Sequence, residues 1–170
     1  MGTKSKHHID IGVMEPFKRL VSKRSLRRVV VITLALTMPE APCRLDLIIG
    51  DDETVKGLNR QYRGLDEVTD VLAFSDSFQG HWEGEDEPPE PCKDTFGFWQ
   101  HLTGLPHLGD IVLSYPQALR QADADGSGID KELALLIVHG ILHLQGLDHL
   151  DQQSEARMLS RQQVILSSIL

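Results

Sequence analysis

The chain has 170 residues, of which 41% are hydrophobic and 25% are charged. This length suits one domain, and the hydrophobic content excludes a wholly disordered chain. The formal net charge of −8 argues against a general nucleic-acid coat protein, and two cysteines are too few for a disulfide scaffold or a cysteine zinc finger.

Charge is unevenly distributed along the chain. Residues 1–28 contain eight lysines or arginines and two acidic residues, whereas acidic residues are in excess over the rest of the sequence. A basic N-terminal surface of this kind would attract a nucleic-acid backbone, but a solvated helix face is the simpler interpretation.

No segment is long and apolar enough to predict a membrane span. The longest apolar run, residues 29–38, is well short of the roughly 20 residues that a spanning helix needs. It follows a basic stretch, as in a secretory signal, but that stretch begins only after an alternating segment at 9–13. We therefore expect a cytoplasmic protein without a membrane partner.

The first half of the chain alternates strands with helices. Alternation of apolar and polar residues predicts strands, and Pro16 and Pro39 suit the beginning and the end of a helix. Acidic residues at 51–53 favour the start of a second helix. The predicted elements are a strand at 9–13, a helix at 15–37, a strand at 44–49, a helix from about 51 and a strand at 69–74.

The second half begins with a long excursion and ends in helices. Residues 83–90 are nearly all acidic or proline, which predicts a surface excursion at about 76–107, and its aromatic residues suggest that part of it packs on the body. We expect Ser127 or Asp130 to cap the penultimate helix and Gly146 to end it. The predicted elements are a strand at 110–114, a helix at 115–124, a second helix that ends at about 145, and a last helix from about 152. This order predicts one α/β or α+β domain over residues 1–170.

Three histidines near the end of the chain indicate a metal site. His139 and His143 are four residues apart, so on a helix their side chains lie on one face. Gly146 then allows the chain to turn and bring His149 to a third position. Three histidines leave one tetrahedral position for water, which is the arrangement of a catalytic zinc site. Asp148, beside a ligand, could orient it.

The spacing of these histidines also matches the zinc-peptidase pattern H-E-x-x-H-x-x-G-x-x-H. In this chain Gly140 stands where that pattern has its glutamate general base. Losing a general base typically costs about 10²–10⁴-fold in rate. A metallopeptidase is therefore the natural rival interpretation, and Gly140 is the evidence against it.

The same segment, with two others, resembles the YbeY family of endoribonucleases and ribosomal-RNA maturation factors. The histidine segment 139–149 is similar to the family's signature, and the blocks at 58–74 and 108–114 resemble two further family segments in the same order. The chain departs from the family pattern at Val68, Ala73 and Ser75, and its excursion is longer than the family would suggest.

The resemblance implies a small mixed sheet of about four strands flanked by helices. It also implies a Zn²⁺ ion on His139, His143 and His149, and a cytoplasmic, single-strand-specific endoribonuclease. Its partners would be single-stranded rRNA and the small ribosomal subunit with associated factors, in 16S rRNA 3′-end processing and ribosome quality control. The family's important arginine falls on Arg63, whose guanidinium can hold a phosphate in two contacts. The resemblance thus makes Arg63 and His143 the candidate catalytic residues.

Several alternatives stay open at the level of sequence. A zinc metallopeptidase-like hydrolase and a non-catalytic ribosome assembly factor are both compatible with three histidines. Other divalent transition metals also accept imidazole ligands. The attacking oxygen could come from water or from the 2′-hydroxyl of the RNA.

Overall fold

The computed structural model describes residues 6–78, 80–88, 104–147 and 151–170. These residues contain four strands and five α-helices. In chain order they are β1 (His8–Val13), α1 (Lys23–Thr37), β2 (Arg44–Gly50), α2 (Asp52–Arg63), β3 (Val71–Ser75), β4 (His107–Ser114), α3 (Tyr115–Asp125), α4 (Ile129–Leu144) and α5 (Gln152–Ile169). The strands form one sheet in the order β1-β2-β4-β3. The β1–β2 and β2–β4 pairs are parallel and the β3–β4 pair is antiparallel, so the predicted mixed four-stranded α/β fold is confirmed.

The main core lies between one face of this sheet and the helices α1, α4 and α5. Leu45, Leu47 and Ile49 alternate along β2 and are fully buried against it. Ile137 and Ile141 of α4 are equally inaccessible. Each such side chain contributes about 1.5–3 kcal/mol by leaving water, so α4 is held firmly to the sheet.

The opposite face of the sheet is covered only in part. Val55 of α2 packs there against Leu72 of β3 and Val112 of β4 in a separate small cluster. On β1 and β2 the same face stays accessible at Asp10 and Ile48. The sheet therefore has one apolar face under α1, α4 and α5, and one mixed face only partly covered by α2.

The first predicted helix is wrong over its first turns. Instead of one helix at 15–37, a 3₁₀ turn at Glu15–Phe17 precedes α1, which begins at Lys23. The side chain of Ser22 accepts a hydrogen bond from the backbone amide of Ser25, which caps α1 at this point.

Two predicted boundaries in the second half also need correction. β4 begins at His107 rather than at residue 110, because His107 pairs with Arg44 of β2. The N-cap of α4 is Gly128, at a φ of 70°, and neither Ser127 nor Asp130 occupies that position. None of the helices in the described residues is long and apolar enough to cross a membrane.

The beginning of the predicted excursion packs on the body, as its aromatic residues suggest. The ring of Phe78 fills the space where a side chain at Gly146 would stand, and Trp82 lies against Gly64 at the end of α2. Three further aromatic residues of the excursion lie outside the described residues: Phe96, Phe98 and Trp99.

Candidate metal centre and active site

The candidate site lies on α4, the penultimate helix, which is apolar over most of its surface. Acidic residues in the first turn, Asp130 and Glu132, suit the positive end of its dipole. The helix ends at Leu144 and Gly146 follows at a φ of 85°, so the predicted glycine stop is confirmed. The Phe78 ring lies within 3.0 Å of where a Cβ at Gly146 would stand, so only glycine fits this turn.

Hydrogen bonds from two other elements hold the histidine end of α4 in place. The Ser75 hydroxyl at the end of β3 donates to the carbonyl oxygen of Leu144 over 3.0 Å. The Gln145 side-chain amide donates to the Thr37 hydroxyl at the end of α1 over 2.8 Å. The terminal carbonyl of the helix and the turn behind it are therefore fixed to the sheet and to α1.

His139 and His143 converge on one point, as the i, i+4 spacing predicts. Their Nε2 atoms are 3.0 Å apart, and their ring centroids are 4.6 Å apart at a steep angle. Two nitrogens bound to one tetrahedral zinc at about 2.05 Å would be separated by roughly 3.3–3.4 Å. The two nitrogens are therefore close enough together that one metal ion could contact both.

Gln162 of α5 orients the first of these rings. Its Oε1 lies 3.0 Å from Nδ1 of His139. An amide oxygen can only accept, so Nδ1 carries the hydrogen and Nε2 is left with its lone pair. Metal-bound histidines usually have such a partner. The Gln162 side chain is buried, and its role was not predicted from the sequence.

The remaining predicted ligand and its neighbour, His149 and Asp148, lie outside the described residues. Their assignment stays a prediction. Gly146 turns the chain immediately after α4, and α5 begins at Gln152, so residues 148–150 connect the two helices that carry the histidine pair and Gln162.

Gly140 faces the sheet. A Cβ placed there would lie 3.1–3.4 Å from three side-chain carbons of Ile111, which is fully buried on β4. A side chain at the position that holds the general base in the zinc-peptidase pattern would therefore press against the sheet here. The structure therefore provides a second argument against the metallopeptidase interpretation.

Arg63 is the last residue of α2, and α2 lies across the sheet from α4. Gly64 follows it at a φ of 77°, and the backbone carbonyl of Arg63 accepts a hydrogen bond from the Glu83 amide over 2.8 Å. The segment after β3 thus contacts the turn behind the histidines through Phe78 and the end of α2 through Glu83. This segment therefore touches both the Arg63 end of α2 and the turn behind the histidines.

A second group of side chains carries atoms that could bind a metal ion, and it was not predicted from the sequence. Side-chain atoms of Asp46, His107 and Asp110 lie within 4.8 Å of one another on the opposite face of the sheet. None of the three was assigned to a metal site from the sequence.

Comparisons with known proteins agree with the resemblance. A family model described as endoribonuclease YbeY matches residues 15–170. An endoribonuclease YbeY from Dehalococcoides mccartyi strain CBDB1 is 38% identical over 164 residues, covering 95% of this chain and 92% of the relative. One from Synechococcus sp. strain JA-2-3B'a(2-13) is 45% identical over 130 residues, covering 76% of this chain and 71% of the relative.

Among solved structures, the solution structure of TM1509 from Thermotoga maritima matches with a TM-score of 0.55. It covers 96% of this chain and 88% of its own, at 22% sequence identity. This likeness supports the fold alone.

Proposed function

The chain belongs to the YbeY endoribonuclease family, and we propose that it is a metal-dependent endoribonuclease that cleaves single-stranded RNA. The proposed substrate is ribosomal RNA, with processing of the 16S 3′ end and ribosome quality control as its roles. Its proposed partners are the small ribosomal subunit and associated factors, in the cytoplasm. The observation that carries the proposal is the convergence of the His139 and His143 Nε2 atoms at 3.0 Å.

The proposed metal ligands are His139, His143 and His149. The first two fit a zinc ion by their Nε2 separation, and Gln162 holds His139 in the tautomer that a metal requires. Imidazole donors suit Zn²⁺ and also other divalent transition metals. A bound ion would supply Lewis-acid chemistry, which stabilises negative charge on phosphate oxygens and makes a nearby water more acidic.

Residues of the protein would bind and position the RNA. Arg63 is proposed to hold a phosphate through two N–H contacts, which also stabilises the charge that develops as the phosphodiester breaks. Phe78 contacts the turn after α4, and Glu83 is hydrogen-bonded to the backbone of Arg63, so the segment after β3 touches both proposed parts of the site.

A basic surface at the start of α1 would extend the RNA contact. Four basic residues of α1 are exposed: Lys23, Arg24, Arg27 and Arg28. Thr37, at the far end of α1, is hydrogen-bonded to Gln145 behind the histidines. At 1.5 Å per residue, about 15–20 Å separates the basic surface from the histidine end, a distance that several nucleotides of single strand would cover. Binding there would weaken as salt is added.

An RNA-cleavage assay tests the proposal. Single-stranded rRNA fragments are incubated with the wild-type protein, with His143→Ala and with His8→Ala, an exposed histidine on β1 that serves as the matched control. We expect cleavage by the wild type and by His8→Ala, loss of cleavage in His143→Ala and on chelation, and recovery when Zn²⁺ is returned.

The products and the folding of the variant complete the experiment. A 3′-hydroxyl end paired with a 5′-phosphate would identify water as the attacking group, and a 2′,3′-cyclic phosphate paired with a 5′-hydroxyl would identify the 2′-hydroxyl. His143→Ala should keep the wild-type circular dichroism spectrum. Absence of cleavage by folded, zinc-loaded wild type on rRNA alone and on the small subunit would refute the enzyme proposal in favour of a non-catalytic assembly factor.

A further inference from the structure

A row of three aspartates crosses the partly covered face of the sheet. Asp10 of β1 is paired in register with Asp46 of β2, and Asp46 is paired with Asp110 of β4. Like charges directly opposite one another destabilise a sheet. Positive charge between the members of such a row offsets this repulsion.

The imidazole of His107 lies among these carboxylates. Its Nδ1 is 3.0 Å from Asp76 Oδ2, its Nε2 is 3.0 Å from Asp46 Oδ2, and the same Nε2 is 3.7 Å from Asp110 Oδ1. The ring is 5% exposed. A carboxylate on one nitrogen, with the other nitrogen facing further donors, is the arrangement by which proteins orient metal-bound histidines. Here Asp76 holds Nδ1, and Nε2 faces Asp46 and Asp110.

Asp110 is a largely buried carboxylate, and no hydrogen bond to it is found among the described residues. Its side chain is 8% exposed, and the His107 Nε2 atom lies 3.7 Å from its Oδ1, beyond hydrogen-bond distance. Burial raises the pKa of Asp110 to about 6, with a further contribution from the nearby Asp46 carboxylate. A buried acidic oxygen in this situation is expected to have a cation near it.

Arg44 supplies only part of the positive charge that the cluster needs. Its Nη2 lies 3.1 Å from Asp46 Oδ1 and 3.6 Å from Asp10 Oδ2. It therefore occupies one oxygen of Asp46 and leaves Oδ2 turned toward His107. Among the described residues, Asp10, Asp46, Asp76 and Asp110 thus lie around Arg44 and His107.

A solvent-connected cavity gives a cation access to the cluster. It has a volume of about 310 Å³, and Asp46, Asp110 and Arg44 are among the residues that line it. Both candidate carboxylates therefore line a space that an ion can enter from solvent.

We propose that Asp46, His107 and Asp110 form a second divalent-metal site, independent of the histidine pair on α4. One imidazole nitrogen and two carboxylate oxygens suit Zn²⁺ or Mn²⁺, whereas Mg²⁺ and Ca²⁺ prefer all-oxygen sets. The three donors lie within 4.8 Å of one another, and donors on one ion at about 2.1 Å lie roughly 3–4 Å apart. A small rotation of the Asp110 side chain completes the set. The bound ion would tie β2 and β4 to Asp76, at the start of the segment that leaves β3.

Calorimetric titration of the chelator-stripped full chain with Zn²⁺ tests this site. The hydrogen bond with Asp46 raises the pKa of His107, so the titration is done at pH 8 to reduce proton competition for Nε2. We expect two equivalents in wild type, and one in the His139→Ala/His143→Ala variant. In that double-variant background, Asp110→Asn should weaken the remaining site at least tenfold. Asp10→Asn is the matched control from the same row and should change the affinity of this site by less than threefold.

Thermal melting provides a second measurement that does not depend on RNA cleavage. Zn²⁺ should raise the melting temperature of the His139→Ala/His143→Ala variant, and Asp110→Asn should abolish that rise. Asp46→Asn serves as the second variant if Asp110→Asn fails to fold. A single equivalent in wild type that disappears with the two α4 histidines would overturn the proposal. So would a second equivalent that neither Asp110→Asn nor Asp46→Asn weakens, because the ion would then be bound elsewhere.

Discussion

Replacing Gly140 by alanine tests how closely α4 approaches the sheet. The added Cβ would lie 3.1, 3.2 and 3.4 Å from Cδ1, Cγ2 and Cγ1 of Ile111, below or at the edge of an ordinary carbon contact of about 3.5–4.0 Å. Alanine favours a helix by about 1 kcal/mol over glycine, whereas overpacking a rigid core costs about 1–3 kcal/mol. Ile111 is fully buried and cannot swing away, so we expect a net destabilisation of about 1 kcal/mol.

A matched glycine on α2 gives the control. A Cβ at Gly57 would meet no atom within 4 Å, so Gly57→Ala should stabilise the protein by up to about 1 kcal/mol through helix propensity alone. The free energy of unfolding of both variants is measured by urea denaturation. Gly140→Ala in an Ile111→Val background, which removes the closest carbon, should cost at least about 0.5 kcal/mol less than in wild type. Equal stabilisation by the two alanines would refute the reasoning.

Gln162, which contacts His139, and Asp51, which caps α2, can each be tested by substitution. Gln162→Leu should weaken zinc binding at the His139 site by about 10–100-fold, because the imidazole loses the acceptor that orients it. Gln163→Leu, on the exposed side of α5, is the control and should leave the zinc affinity unchanged. Competition with a chelator measures both affinities. Hydrogen bonds from the Thr54 side chain and backbone amide lower the pKa of Asp51, the N-cap of α2. Its carboxylate therefore stabilises the folded state fully above the unfolded pKa of about 4, and progressively less as the pH falls below that value. Asp51→Ala should therefore lower the free energy of unfolding by about 1 kcal/mol at pH 7 and by less at pH 3. The loss caused by Ser22→Ala, which has no charge to titrate, should be the same at both pH values. Urea titrations at the two pH values measure these losses, and an Asp51→Ala loss that does not shrink at pH 3 would contradict the prediction.

The histidine pair is predictable from sequence because its geometry is local. A spacing of four on a helix places two side chains on one face whatever surrounds the helix, and the structure places the His139 and His143 nitrogens 3.0 Å apart. The strands were predictable for a similar reason, since alternation along β2 follows from burial of one face. The start of α1 was not, because Ser22 and Pro16 both offer acceptable helix starts.

The residues that support the pair depend on tertiary packing. Gln162 lies in a stripe with Met158, Ile165 and Ile169, all of them buried on α5. A single polar residue in such an apolar stripe is a weak local signal that it has a buried partner. Which partner it has depends on how α5 packs against α4, and no spacing within α5 contains that information.

The group of Asp46, His107 and Asp110 on the other face of the sheet is harder to predict from the sequence. Its members belong to β2 and β4, which are joined only through a parallel pairing. His107 and Asp110 are three residues apart and would normally point to opposite faces of a strand. They share a face because the register shifts between Arg44 and Leu45, with Gly109 at a φ of 149°. Only the pairing of the strands shows this irregularity.

The connection between β3 and β4 makes this protein a candidate host for inserted domains. These two strands are antiparallel neighbours, yet residues 76–106 separate them, and their pairing from Val71↔Leu113 to Ser75↔Gly109 is regular. Doubling the length of such a connection would cost only about 0.6 kcal/mol in chain entropy. A fluorescent reporter or an affinity module spliced into the acidic stretch after Trp82 should therefore leave the strand pairing intact, and a solubility screen of such fusions would map the insertion points that the fold accepts.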